Sequence, residues 1–286
     1  MPSFLPVIAL MRGLDVLRVV NTLRSATVAD VHRQTGLHRA TVVRMLETLE
    51  HAGFVVRRDD GKRYMPTGRV LLLANGFQAH ERAAQIAEPV LSDLRARVGW
   101  PSDLAIPDGD AMLVAVTSRP FDHLLIERRL GARAPWLASS LGRAYLATCS
   151  EMYREEVLSA LEKSSQTFDR AARNRREVSR ILRETRERGY AVPDEAYSKA
   201  AYDNATSGFA VPVFAHSAVV ASINLLFLTS TITLSDAVAN FLPAVNDAAV
   251  RIGAAMELDL PANSRGPFSA SRDARPDPLG LKRIRR

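Results

Sequence analysis

Between Thr27 and Pro66 a set of local signals follows in an order that few folds accept. Thr27-Val-Ala-Asp30 is a capping-box variant that starts a short helix, VADVHRQT, and Gly36 stops it. Leu37 turns into LHRATVVRMLETLEHAGFV (Leu37 to Val55), where Val42, Met45, Leu46 and Leu49 fall on one side of a helix. Ala40, Arg44, Glu47, Thr48 and His51 fall on the other. Gly53 ends that helix, Phe54-Val55-Val56 begins a strand, Asp60-Gly61 is a hairpin-turn dipeptide, and Arg63-Tyr64-Met65 returns before Pro66. Ahead of these, ALMRGLDVLRVVNTL (Ala9 to Leu23) spaces Leu10, Leu14, Leu17, Val20 and Leu23 as a core-facing helix would. Long helix, short helix, glycine turn, second helix and hairpin make a winged helix-turn-helix.

In such a unit the second helix enters the major groove with its N-terminal residues leading. His38, Arg39, Thr41 and Arg44 are therefore the candidates for base edges or flanking phosphates. Arg57 and Arg58 on one arm of the wing, with Lys62 and Arg63 at or just past its tip, are placed for phosphates or a minor groove. A helical bundle with a solvated basic face is the plainer reading, but it must also explain the cap, the turn and the basic hairpin in that order. A scaffold whose winged helix binds protein is another alternative, and the helix and wing arginines argue against it.

Charge is divided unevenly along the 286 residues. Residues 1–80 carry 11 Lys and Arg against 6 Asp and Glu, residues 81–260 carry 20 against 23, and residues 261–286 carry 7 against 2. A basic head and tail on a near-neutral body point to a polyanion at one end, with nucleic acid ahead of an anionic membrane surface. At 47% hydrophobic and 24% charged residues the chain reads as a soluble globular protein of two domains. No run approaches the ~18 apolar residues of a membrane span, MPSFLPVIALMRGL lacks the features of a signal peptide, and a cytoplasmic location is expected.

Past the wing, VLLLANGFQA and AAQIAEPVLSDLRARVG read as helices, with Pro89 expected in a first turn or at a kink. AMLVAVTS, HLLIERRL, GFAVPVF and AVVASINLLFL read as strands. SLGRAYLAT, EMYREEVLSALEK, REVSRILRETRERG and a last segment from Leu234 to about Leu258 read as helices. Strands interleaved with helices at these lengths give an α+β domain with an antiparallel sheet. The tail from Pro261 is rich in Pro, Ser and Arg, and its default is disorder.

The chain resembles the IclR family of bacterial transcriptional regulators over roughly residues 7–258. RGLDVL (Arg12 to Leu17), TGLHRATVVRMLETLEHAGFV, GRVLLLANGF (Gly68 to Phe77), GARAPWLASSLGRAYLA (Gly131 to Ala147), RERGYAVPDEA (Arg186 to Ala196) and FAVPVF (Phe209 to Phe214) carry the likeness in order. VGWPSDLAIPDGDAMLVAVTS, VVASINLLFLTSTIT and FLPAV are similar to a narrower branch that activates catabolism of hydroxyphenylpropionate and related aromatic acids. The resemblance implies a winged head at 1–66, a linker helix at 67–84 and an effector-binding domain at 85–260 with a GAF/profilin-like fold, before the tail at 261–286. It also implies an effector site at Ser139, Ser140 and Leu141, at Ser207 and Gly208, and at Asn224 and Leu226. A helix start with two hydroxyls suits a carboxylate. Trp136, Leu141, Leu226 and Phe209 are candidates for an apolar wall, and Arg133 is a candidate to meet the acid, though each has a plain structural explanation as well. Asn224 is the hardest to dismiss, because a buried amide needs a partner.

The implied partners are double-stranded operator DNA, a small effector that is an aromatic or else an aliphatic acid, and further copies of the chain as a dimer or dimer of dimers. RNA polymerase joins them if the protein activates. No membrane partner and no cofactor are expected. The six histidines have no metal-ligand spacing, and Cys149 has neither a cysteine nor a histidine partner nearby and reads as a structural thiol. No G-x-S-x-G elbow, P-loop or G-x-G-x-x-G occurs, so an enzyme working through the second-domain pocket is the rival from a different class.

Overall fold

The structure is a computed structural model that describes residues 4–58, 61–74, 78–119 and 131–259, and it divides into two compact units that meet at Gln78 and Ala79. In the first unit, helix α1 (Ile8–Leu23) buries Val16, Leu17, Val19 and Val20. Leu10 and Leu14, expected on the core face, are exposed. The cause is reach: the core shared with the next two helices begins at Val16, so the first two turns of α1 keep their apolar side chains uncovered. Strand β1 (Ala26–Thr27) leads into α2 (Val28–Thr35), whose capping box is complete. Asp30 N–H donates to Thr27 Oγ1 at 3.2 Å and Thr27 N–H donates to Asp30 Oδ2 at 3.0 Å. Gly36 takes φ 68°, the left-handed value that lets the chain turn into α3 (Arg39–His51).

Helix α3 buries Val42 and Leu46 and half-buries Met45 and Leu49, the face its periodicity predicts. Strands β2 (Val55–Arg58) and β3 (Arg63–Pro66) pair antiparallel, and β3 also pairs with β1, which adds a third strand that local pattern does not disclose. Asp60, of the hairpin dipeptide, lies outside the described residues. The single linker helix expected over 67–84 is instead a 3-10 turn over Gly68–Leu73 and then, beyond residues 75–77 outside the described set, helix α4 (Gln78–Val98). Pro89 stands in the interior of α4 rather than in a first turn.

The second unit is built on a five-stranded antiparallel sheet made of β4 (Ser102–Asp108), β5 (Ala111–Thr117), β6 (Arg133–Pro135), β7 (Thr206–Ala215) and β8 (Ala218–Leu228), in the order β6-β5-β4-β8-β7. The strand expected at HLLIERRL and the basic tail from Pro261 lie outside the described residues. Between β6 and β7 come α5 (Ser140–Thr148), α6 (Glu151–Glu162), a 3-10 turn over Thr167–Arg173, α7 (Arg175–Arg188) and α8 (Glu195–Tyr202). Helix α9 (Leu234–Asp259) closes the described chain.

Alternate residues of the strands feed two cores. Leu104, Ile106, Val211, Val213, Ile223 and Leu225 pack with α4 and α9, whereas Ala105, Met112, Val114 and Ala210 pack with α5, α6 and α7. Strands covered on both faces become almost wholly apolar, as β8 is. Against that background the buried polar side chains of Ser102, Asp103, Ser222 and Asn224 stand out.

The start of α5 is seated by a glycine. A Cβ at Gly142 would lie 2.3 Å from the carbonyl oxygen of Trp136, a backbone atom that cannot swing aside. Gly142→Ala is expected to lower unfolding stability by about 2 kcal/mol, an overpacking cost, read as a lower urea midpoint with unchanged slope.

Candidate functional sites

On the first unit, α3 presents Arg39, Ala40, Arg44, Glu47, Thr48 and His51 to solvent. Arg39 and Arg44 have no ion pair among the described residues. His38 is the N-cap, its Nδ1 accepting from Ala40 N–H at 3.4 Å, and Thr41 is half-buried. The wing is less uniform than its sequence. Arg57 turns inward: its Nη2 lies 3.1 Å from Glu50 Oε2 and 3.9 Å from Glu47 Oε1, and its guanidinium sits 5.0 Å from the centre of the Tyr64 ring. It ties the wing to α3, which corrects the expectation that it faces an outside phosphate. Arg58, Lys62 and Arg63 are exposed, and Arg63 Nη1 is 3.4 Å from Ser25 Oγ.

Arg58 and Arg63 are direct cross-strand partners. Like charges placed opposite one another work against the hairpin. Together with the exposed Lys62 they concentrate positive potential on the wing. Arg69, which the sequence did not single out, donates from Nη1 to Ala52 O at 2.8 Å and so caps the end of α3 across a separation no local pattern reveals.

On the second unit a pocket of about 310 Å³, counting its open mouth, lies between the sheet, the start of α5 and helix α8. It gathers six of the nine predicted effector residues: Ser139, Ser140, Ser207, Gly208, Asn224 and Leu226. Sequence reasoning missed Pro193, Tyr197, Ser198, Tyr202 and Thr206, which also line it. Helix α8, which carries Tyr197, Ser198 and Tyr202, has no spacing that announces a wall.

Ser139 caps α5, its Oγ accepting from Gly142 N–H at 3.0 Å and donating to Pro135 O at 2.7 Å. The first N–H groups of a helix have no intrahelical acceptors, and Ser139 and Ser140 at this helix start line the pocket. Asn224 is fixed by its cross-strand partner: Asp103 N–H donates to Asn224 Oδ1 at 2.7 Å, and Asn224 Nδ2 is 3.5 Å from Asp103 Oδ2. The wholly buried Asp103 is paired in turn with Arg119 at 2.5 Å. Gly208 admits no larger residue, because a Cβ there would lie 2.4 Å from Leu225 O.

Three predicted residues lie elsewhere. Arg133 is bound to Asp108 Oδ2 at 2.6 Å and to Asp110, and is not on the pocket lining. Trp136 is fully buried, donating from Nε1 to Gly109 O at 3.2 Å and packing on Tyr145 and Tyr153 at ring distances of 5.6 and 6.4 Å. Leu141 points into the same core. Phe209, expected in the apolar wall, belongs to the core on the opposite face of the sheet, as strand alternation requires. Cys149 is a buried free thiol whose pKa is pushed up by burial.

The two walls of the pocket are joined by Arg143. Its Nε donates to Leu137 O at 2.6 Å, Nη1 to Val192 O at 3.1 Å, and Nη2 reaches Asp194 Oδ2 at 3.2 Å. Burial draws its pKa down and the Asp194 carboxylate draws it back up. Asp194 also caps α8 through Tyr197 N–H at 3.2 Å.

Residues 79–254 match the family described as "Bacterial transcriptional regulator IclR C-terminal", and residues 9–59 match the "IclR helix-turn-helix domain". The chain is 26% identical over 245 residues to the Pca regulon regulatory protein of Pseudomonas putida, covering 85% of this chain and 81% of that one. Among solved structures it is similar to an IclR homolog from Microbacterium hydrocarbonoxydans complexed with 4-hydroxybenzoate, with TM-score 0.59, 25% identity, and coverage of 87% and 99%. It also shares its fold with Thermotoga maritima IclR, with TM-score 0.61, 22% identity, and coverage of 88% and 100%.

Asp194→Ala is expected to remove the α8 cap and leave Arg143 without its carboxylate, at a cost of about 1 kcal/mol in local stability. Hydrogen exchange should accelerate in residues 195–202 while the β8 amides keep their protection.

Proposed function

The chain belongs to the IclR family of bacterial transcriptional regulators, and from that premise we propose that it binds operator DNA as a dimer under the control of a small carboxylic acid, most specifically an aromatic one. The family consists of DNA-binding regulators with an effector-binding C-terminal domain, not of enzymes. We divide the chain by task into a reading head at 1–66, a linker at 67–84 and an effector domain at 85–260. Among the described residues no helix is long and apolar enough to cross a membrane.

The observation that carries the DNA reading is the state of Arg39 and Arg44. Both are exposed on the leading turns of a capped α3 with no carboxylate among the described residues to neutralise them. In a major groove each can bond a guanine bidentately or a phosphate. Arg58, Lys62 and Arg63 extend the same positive face. An acid effector is supported by the pocket's hydroxyls and helix start, and its aromatic character by the tyrosines of α8 beside Leu226. A P. putida relative is named for a pca regulon, and the Microbacterium homolog holds 4-hydroxybenzoate. Both support a branch concerned with aromatic acids.

Dimerisation is supported by the uncovered start of α1. Val7, Leu10, Met11 and Leu14 follow a helical stripe, and Leu10 and Leu14 are 62% and 55% exposed. Such a stripe on a soluble head suits an isologous contact, and one recognition helix reads too few base pairs to specify a site alone. The effector then favours one arrangement of paired heads over another.

Two outcomes test this reading. Arg44→Ala should weaken binding to a specific operator by about tenfold or more in a gel shift with competitor DNA, with acid binding unchanged. Unaltered affinity and specificity would remove Arg44 from the reading set. Leu10→Glu with Leu14→Glu should shift sedimentation toward monomer. A variant that remains fully dimeric would place the interface elsewhere.

A further inference from the structure

The polar groups of the pocket are mostly engaged by the protein itself. Ser139 Oγ serves Gly142 and Pro135, and Asn224 turns both ends of its amide onto Asp103. Thr206 differs. It opens β7, lines the pocket and is 2% exposed, yet its Oγ1 meets no hydrogen-bond partner among the described residues. Buried hydroxyls almost always have one. The register pairs Thr206 with Leu228 and Gly208 with Leu226, and the period of two sets Thr206, Gly208, Leu226 and Asn224 on one face of the sheet.

Asp103 Oδ1, beside Asn224, and Ser222 Oγ, two residues farther along β8, are also buried without a partner among the described residues, but neither residue lines the pocket. Thr206 Oγ1 is thus the buried unpartnered atom that belongs to the pocket lining, on its sheet side. The opposite end carries Ser140 and the first turn of α5, where an anion is favoured. No Arg, Lys or His lines the pocket among the described residues, so an acid there is held by neutral donors.

We propose that Thr206 is a specificity-determining residue that makes the pocket selective for acids carrying a hydroxyl group remote from the carboxylate. This rests on the reading of the pocket as the effector site. The carboxylate lies at the start of α5 and the hydroxyl reaches the sheet side, where it donates to or accepts from Thr206 Oγ1. Between them Pro193, Tyr197 and Leu226 give a slot for a ring or short chain. An acid without the hydroxyl leaves Thr206 buried and unpartnered, and loses affinity on that account.

The test is calorimetric titration of the full chain with three matched pairs: benzoate and 4-hydroxybenzoate, 3-phenylpropionate and 3-(4-hydroxyphenyl)propionate, and butyrate and 4-hydroxybutyrate. Each is run on the wild type and on Thr206→Val, which keeps the side-chain shape and removes the hydroxyl. At least one hydroxylated acid should bind the wild type about tenfold more tightly than its partner, and in Thr206→Val the two should agree within about twofold. Equal binding within every pair that binds, or a ratio that survives in the variant, overturns the proposal and leaves an acid-binding pocket standing. No binding by any of the six overturns it together with the effector reading. The variant is expected to melt no earlier than the wild type. A variant that fails to fold would make the hydroxyl structural and also overturn the proposal.

Discussion

A sheet covered on both faces leaves few places for a polar side chain, and the second unit is organised by that constraint. Helices α4 and α9 claim one face of the five strands, and α5 with α6 and α7 claims the other. Interior carboxylates and amides are costly unless paired. Asp103 and Asn224 meet across β4 and β8, Arg119 joins them, and Asn224 forms part of the pocket. Polarity is thus retained in the sheet where the fold leaves a cavity. The same constraint sends Trp136 and Phe209 into the cores and binds Arg133, on β6, to the aspartates of the β4–β5 turn.

The first unit follows a different economy, in which charge is left exposed. Arg57 is neutralised by Glu50 and Glu47 and braces the wing on α3, while Arg39 and Arg44 are left to solvent. Arg58 opposite Arg63 is a like-charge pair that works against the hairpin. Arginine thus has two uses: it is tethered at Arg57, Arg119 and Arg143, and exposed without an ion pair among the described residues at Arg39 and Arg44.

How much of this could be read in advance depended on the range of the interaction. The Thr27–Asp30 box, the Gly36 turn and the buried side of α3 are local, and the sequence announces them through neighbours a few residues apart. The α1 core was misjudged, since Leu10 and Leu14 keep the period but lie beyond the reach of α2 and α3. The α5 hydroxyls and the Asn224 strand came from family motifs, and the structure brings them together. Tyr197 and Tyr202 escaped notice, because α8 is held at the pocket through Arg143 and Asp194, 51 residues apart; Thr206, next to the predicted Ser207, carries no local sign that its hydroxyl is buried. Arg57 was legible as basic, but its partners on α3 were not.

In the proposed function, an acid in this pocket controls operator binding by the winged head of the same chain. The direct measurement is fluorescence anisotropy of labelled DNA from the region upstream of the protein's own gene, titrated with the full chain over non-specific competitor. The titration is repeated with each of a panel of hydroxylated aromatic acids. Sequence-specific binding is expected, with an affinity that at least one acid shifts severalfold in either direction, the size typical of coupling between sites. Binding that depends on salt alone, with no sequence preference and no response to any acid, would contradict it.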